Sequence, residues 1–298
     1  MDLLKESENI VLFNVGHGGK TLEEFLYSHQ ISGRLFRRLY REKNLLINGD
    51  FKGKKTILEP GDIVSMIIEE EENNTPPEPM PLDIIYEDMD LLVLNKKPFV
   101  VVHPTKSHQQ NTLSNGIANY FKDKDIKRKI RFVNRLDMNT SGILIVAKSS
   151  FAHQQMALQF ENNQVEKRYI AVVSGLVEKD EDIIDLPIGK EEEKSTKKVV
   201  TKRGKKAITK YRVVERYRAA TLLDIQIYTG RSHQIRVHLN HIGHPIIGDT
   251  LYHEPSKYIE RQALHSYYLK LKLPRSKELV KFRAELPQDM KRLTEYLG

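Results

Sequence analysis

Apolar and polar positions alternate with changing period along the chain, and each change marks a predicted element. In "TLEEFLYSH" Thr21 and Glu24 stand at the spacing of a capping box, which predicts a short helix. Ser32 caps a second helix, "GRLFRRLYRE". Leu35, Phe36, Leu39 and Tyr40 share one side of it, and Arg34, Arg37, Arg38 and Arg41 project from the other. "LLINGDF" holds an Asn-Gly turn, and "LEPGDIVSMII" reads as a turn followed by a strand. "EENNTPPEPMP" is polar, acidic and proline-rich, and reads as a linker.

Beyond the linker the pattern is mixed. "LLVLN" and "VVVH" are strand-like, and "TLSNGIANYF" is a helix capped by Thr112. "GILIVAK" reads as a buried strand, followed by a helix, "FAHQQMALQF", capped from Ser149 or Ser150. "KRYIAVV", "KAITKYRVVERY", "ATLLDIQIY" and "ALHSYYLKLKL" read as strands; "HQIRVHLNHI" and "PQDMKRLTEYL" read as helices. Strands outnumber helices without alternating regularly with them. This predicts an α+β fold with a mixed, mostly antiparallel sheet and flanking helices, preceded by a small α/β unit. The expected boundaries are an N-terminal extension over 1–15, a compact unit over 16–70, a linker over 71–82 and a larger domain over 83–298. No internal repeat is visible.

Composition narrows the class. With 298 residues, 39% hydrophobic and 30% charged, the chain can bury a core and stay soluble. No apolar run approaches the ~18 residues of a membrane span, and the N-terminus lacks the basic patch and cleavage site of a signal peptide, so a cytoplasmic protein without a membrane partner is expected. Cysteine is absent, which excludes disulfides, thiolate catalysis and cysteine-based zinc sites. The formal charge of +8 favours a polyanionic partner. That charge is segregated: residues 31–56 hold eight Lys or Arg against two acids, 57–91 eleven acids and no base, and 187–218 twelve bases against four acids. A basic face is expected, with the α-helical arginines 34, 37, 38 and 41 contacting nucleic acid.

Candidate chemistry is sparse. There is no Gly-x-Gly-x-x-Gly after a strand and no Walker loop, so the usual phosphate cradles are missing. His238, His241 and His244 lie three apart, but the chain ends its helix near Gly243 and offers no accompanying carboxylate; contacts to backbone, phosphate or one another fit better than a metal. Asp137, in "RFVNRLDMNTSG", is a lone acid in a polar turn. One reading is an Asx turn in which its side chain accepts from the amides of Asn139 and Thr140. The other draws on "YTGRSHQIRVHLNHIGHPIIGD", which puts Arg231 at the mouth of a helix, where an arginine can pair with an acid and orient it for nucleophilic attack or proton abstraction.

"NKKPFVVVHP", "NRLDMNTSGILIVAK", "KRYIAVVSG", "TGRSHQIRVHL" with "GHPIIGD", and "RQALHS" occur in that order. Together they resemble the RluA/RluD branch of RNA pseudouridine synthases over about residues 83–290, and residues 16–70 resemble an S-four-type RNA-binding domain. The resemblance implies an isomerase: a uridine loses its N-glycosidic bond, the uracil turns, and C5 is joined to C1′, with no cofactor or metal. It implies Asp137 as the catalytic carboxylate, Tyr169 against the uracil, and Arg231 as the ion-pair partner of Asp137. Arg135 would fill the space left by the everted base. Asn134 and Thr140 would support the substrate, with Ile235 and Leu264 as apolar wall. Asn134 departs from the histidine usual before Arg-Leu-Asp, which removes any titrating role there. Lys96 is expected to be structural or a phosphate contact. RNA is the implied partner, large-subunit rRNA first and tRNA second, and a monomer the simplest assembly. A non-catalytic RNA-binding or ribosome-assembly factor on the same fold, and a base-releasing glycosylase, remain as alternatives.

Overall fold

The computed structural model describes residues 5–69, 71–105, 109–190, 192 and 195–298. The chain opens with strand β1 (Ile10–Asn14), helices α1 (Leu22–Ser28) and α2 (Gly33–Arg41), and strands β2 (Leu45–Ile47), β3 (Asp50–Phe51) and β4 (Ile63–Ile67). The local signals act as expected. Thr21 Oγ1 accepts from the Glu24 amide at 3.2 Å while the Glu24 carboxylate accepts from the Thr21 amide at 2.9 Å, and Ser32 caps α2. Asn48 and Gly49 both have positive φ, the backbone a two-residue hairpin turn requires. The four strands form a sheet in the order β1-β4-β2-β3. Residues 10–14, expected in an N-terminal extension, are thus an edge strand of this sheet, paired antiparallel with β4 from Ile10–Ile67 to Asn14–Ile63.

The remaining elements are β5 (Ile84–Glu87), β6 (Leu91–Lys96), α3 (Leu113–Asp123), β7 (Arg131–Phe132), β8 (Ser141–Ala147), α4 (Ser150–Glu161), β9 (Glu166–Ser174), β10 (Glu181–Asp185), β11 (Ile188–Lys190), β12 (Lys198–Val200), β13 (Ile208–Arg216), β14 (Ala220–Ile227), α5 (Gln234–His241), β15 (Leu264–Lys272), β16 (Leu279–Arg283) and α6 (Gln288–Leu297). Ten of these strands form one sheet, β10-β13-β14-β9-β15-β8-β6-β5, with β16 on β15 and β7 on β8; β11 and β12 form a separate hairpin. The fold is α+β, and its large sheet is antiparallel except where β8 meets β15. "VVVH" is not a strand. The carbonyls of Val101 and Val102 accept from the amides of Leu113 and Ser114 at the start of α3, so they have no ladder partner to offer.

The proline-rich stretch is not a free tether. Glu78 donates its amide to the Asn115 carbonyl, the Asn115 side chain donates to the Pro76 carbonyl, and Met80 and Leu82 pack on the cluster around α3. The N-terminal unit is docked in turn. Phe151, from α4, is buried in the same apolar cluster as Val11, Phe25 and Phe36. Arg38 donates to Ser150 Oγ at 2.7 Å, and Arg128 and Arg275 donate to the main-chain carbonyls of Glu69 and Ile10, each at 2.7 Å.

The parallel junction is two residues long, pairing Ser141 with His265 and Gly142 with Ser266. Gly142 has φ +114°, and a Cβ there would lie 2.1 Å from the Ser266 carbonyl oxygen. Only glycine lets β8 and β15 approach this closely. Gly142→Ala is expected to destabilise the protein by about 3 kcal/mol, read as a shift in the midpoint of urea unfolding; an unchanged midpoint would show that the junction yields.

Candidate active site

A cavity of about 1050 Å³ opens where β9, β14, β15 and α5 converge, and Asp137, Tyr169, Ile235 and Leu264 lie on its wall. Asp137 stands in the loop between β7 and β8, its side chain about one-third exposed. Each residue after it is fastened. The Met138 carbonyl accepts from Lys96 Nζ at 2.8 Å, the Asn139 carbonyl from Arg261 at 3.1 Å, and Thr140 Oγ1 from Gln262 Nε2 at 3.1 Å. Lys96 and Arg261 are both almost wholly buried. Arg261 is itself gripped by Asp289 of α6, with contacts of 2.6 and 3.0 Å. Burial, with Arg261 nearby, pushes the Lys96 amine down to about 7. Its three acceptors, the carbonyls of Lys97, Val100 and Met138, match the three N–H groups of the ammonium. A loop pinned at three successive residues holds its acid in one place, as a preorganised site requires.

The direction of the carboxylate is set from α5. Arg236 donates from one terminal nitrogen to Asp137 Oδ2 at 2.8 Å. Its Nε and other terminal nitrogen each donate to Asp249 at 2.7 Å in a bidentate pair. Asp249 is 1% exposed. The ring of Tyr252 lies 5.1 Å from the same guanidinium. Arg236 is thus a planar fork shared between two acids, a geometry lysine cannot reproduce. His233, in the left-handed region at φ +57° before α5, places Nε2 3.9 Å from Asp137 Oδ2 and holds the Tyr252 hydroxyl at 3.0 Å through Nδ1. Burial lowers its pKa, outweighing the pull of Asp137. Tyr169 lies on β9 opposite Ser266, and burial, with the Asp137 charge adding to it, pushes its phenol up to about 12.

Several expectations change. Arg231 lines the cavity but does not pair with Asp137. It precedes α5, is exposed, and its Nε donates to the Lys206 carbonyl at 2.9 Å. Arg236 takes the role because it lies within the helix, on the turn that faces the loop. The Asx reading also changes: the turn is closed by the main chain, Thr140 amide to Asp137 carbonyl at 3.0 Å, leaving the carboxylate to Arg236. Asn134 lines the cavity, yet its amide is spent on β8, donating to the Ile143 carbonyl at 3.1 Å and accepting from the Ile145 amide at 2.8 Å. Thr140, Ile235 and Leu264 are on the wall, and Arg135 is exposed at its rim. Of the four α2 arginines, Arg34, Arg37 and Arg41 are exposed, while Arg38 is turned onto α4. His238 and His244 contact Thr209 Oγ1, the Leu186 carbonyl and the Ser174 carbonyl.

The family pattern described as RNA pseudouridylate synthase matches residues 90–241. The uncharacterized RNA pseudouridine synthase YjbO of Bacillus subtilis is 39% identical over 276 residues, spanning 92% of this chain and 98% of that protein. The chain belongs to the RNA pseudouridylate synthase family. This pseudouridine synthase is also 37% identical over 246 residues to ribosomal large subunit pseudouridine synthase D of Nitrosomonas europaea, covering 79% of the chain and 71% of the relative. The solved structure of human RNA pseudouridylate synthase domain containing 1 superposes with a TM-score of 0.57 at 27% identity, over 74% of this chain and 96% of that one. The matched segment contains the synthase's Asp137, Tyr169 and Arg236, and it stops before Asp249.

Sequence reasoning missed Arg236, Asp249, Tyr252 and His233. One signal was available. Arg236 sits among Ile235, Val237 and Leu239 on a helix that is buried through its first six residues. A cation so placed needs a buried acid, and "GHPIIGD" supplies Asp249.

Proposed function

We propose that this synthase converts a uridine of large-subunit ribosomal RNA to pseudouridine, with Asp137 as the reacting carboxylate. The observation that carries the reading is the Asp137 carboxylate, held by Arg236 on the wall of a cavity that the buried Tyr169 also lines. In the reaction the N1–C1′ bond breaks, the C5–C1′ bond forms, N1 takes up a proton and the C5 proton leaves to solvent. Asp137 would act by attacking C1′ or by removing the proton at C2′. The neutral phenol of Tyr169 would lie against the uracil and accompany loss of the C5 proton. Duplex or stacked RNA shields C1′ and both faces of the ring, so the nucleotide must be everted into the cavity, with Arg135 filling the gap it leaves. Relatives named ribosomal large subunit pseudouridine synthase D in several bacteria support the choice of RNA. RNA transcripts tritiated at uridine C5 test it: tritium release into water from the large-subunit transcript, with a new pseudouridine mapped there, is the expected result. Release from tRNA alone would move the substrate, and liberation of free uracil would replace isomerase by glycosylase.

The exposed arginines of α2 would extend the RNA contact beyond the cavity. Replacing Arg34, Arg37 and Arg41 together by Gln should flatten the dependence of log Kd on log salt by about two, while Arg38→Gln should instead lower Tm. Kd measured across a potassium chloride series separates the two, and an unchanged slope in the triple variant would remove α2 from the RNA surface.

A further inference from the structure

Among the described residues, six lysines and arginines lie on the cavity wall: Arg135, Lys167, Lys190, Lys198, Arg231 and Arg236. Only two of them are buried, Lys167 at 6% and Arg236 at 7% exposure. Arg236 has two carboxylates. Lys167 has none: among the described residues no acid lies within ion-pair distance, and its Nζ has only the face of Phe160, 5.5 Å from the ring centroid. Burial pushes the pKa of its amine down. A cation sequestered in this way is costly unless an anion arrives to pair with it, and the wall opens toward the substrate.

Position indicates which anion. Lys167 and Tyr169 are two residues apart on β9 and so face the same way, about 6.7 Å apart along the strand. Both side chains line the cavity. That spacing is close to the separation between a pyrimidine ring and the phosphate of its own nucleotide. RNA offers no anion other than its phosphates. We propose that Lys167 binds a backbone phosphate flanking the everted uridine, so that the base is located by Tyr169 and its strand by Lys167. The inference rests on the cavity being the uridine site. It makes Lys167 a binding residue whose contact forms on substrate entry and holds equally through the reaction, so its loss raises KM and spares kcat.

The test uses a short RNA bearing the mapped, C5-tritiated uridine, with an ordinary linkage or a methylphosphonate on its 5′ or its 3′ side, and the full-length wild type and Lys167→Met. The variant should raise KM about tenfold with kcat within about threefold, and Lys167→Arg should recover most of the loss. One of the two neutral linkages should raise the wild-type KM by the same factor and leave that of Lys167→Met unchanged. Tm of Lys167→Met should equal or exceed that of wild type, because an unpaired buried charge has been removed; a purely structural lysine would lower it. An unaltered KM in Lys167→Met, or losses that multiply with both neutral linkages, would overturn the proposal while leaving the uridine site intact. No tritium release by the wild type would instead remove the uridine site and the phosphate contact together.

Discussion

Asp137→Asn should release no tritium from C5-labelled RNA above background, a loss of ~10³-fold or more in kcat, while RNA affinity stays within about threefold. The substitution is nearly isosteric. The asparagine oxygen can still accept from Arg236, which also keeps its bidentate pair with Asp249. The backbone of the loop is untouched, because Met138, Asn139 and Thr140 are held by Lys96, Arg261 and Gln262 rather than by the Asp137 side chain. What disappears is the negative charge and with it both available routes, attack on C1′ and removal of the C2′ proton. Affinity is carried by cationic groups elsewhere on the wall and on α2, so binding should survive. Single-turnover tritium release and a filter-binding Kd on the same preparation check this. Appreciable residual turnover would place the reacting group elsewhere in the cavity.

The parts of this outcome that were legible beforehand are those set by short stretches of chain. The caps at Thr21, Ser32, Thr112 and Ser149 are sequence-local, and each formed where the pattern put it. Asp137 was visible as a lone acid in a polar turn, but its own stretch left an Asx turn open beside a chemical role. Placement in the sheet was not legible. Nothing near Gly142 announces that β15, more than a hundred residues later, will run parallel beside it at a distance only glycine permits. "VVVH" carries strand propensity, but α3 claims its carbonyls first. "EENNTPPEPMP" has the composition of a tether, but Asn115 and a cluster of apolar side chains hold it to the domain. β1 lacked a visible partner because its partner, β4, lies about fifty residues on.

The choice between Arg231 and Arg236 shows the same limit at the scale of one helix, and it gives the second large effect. Arg236→Met should lower kcat by about a hundredfold or more, whereas Arg231→Met should stay within about threefold and chiefly raise KM. Arg231 is exposed and its strongest contact is a main-chain carbonyl, so its loss removes one cationic charge from the rim. Arg236 joins two acids. Its removal leaves Asp249 buried and unpaired, a cost of about 3–5 kcal/mol, and frees Asp137 to rotate away from the substrate. A fall in Tm should therefore accompany the fall in rate, which is why Arg236→Lys is needed beside it. Lysine restores charge but cannot span Asp137 and Asp249 with a planar fork. If its charge settles on the more deeply buried Asp249, Tm should recover while kcat does not, because Asp137 is still unaimed. Recovery of both would mean that the site needs only a positive charge there. Loss of activity in Arg231→Met with Arg236→Met unimpaired would return the pairing to the arginine that the sequence first indicated.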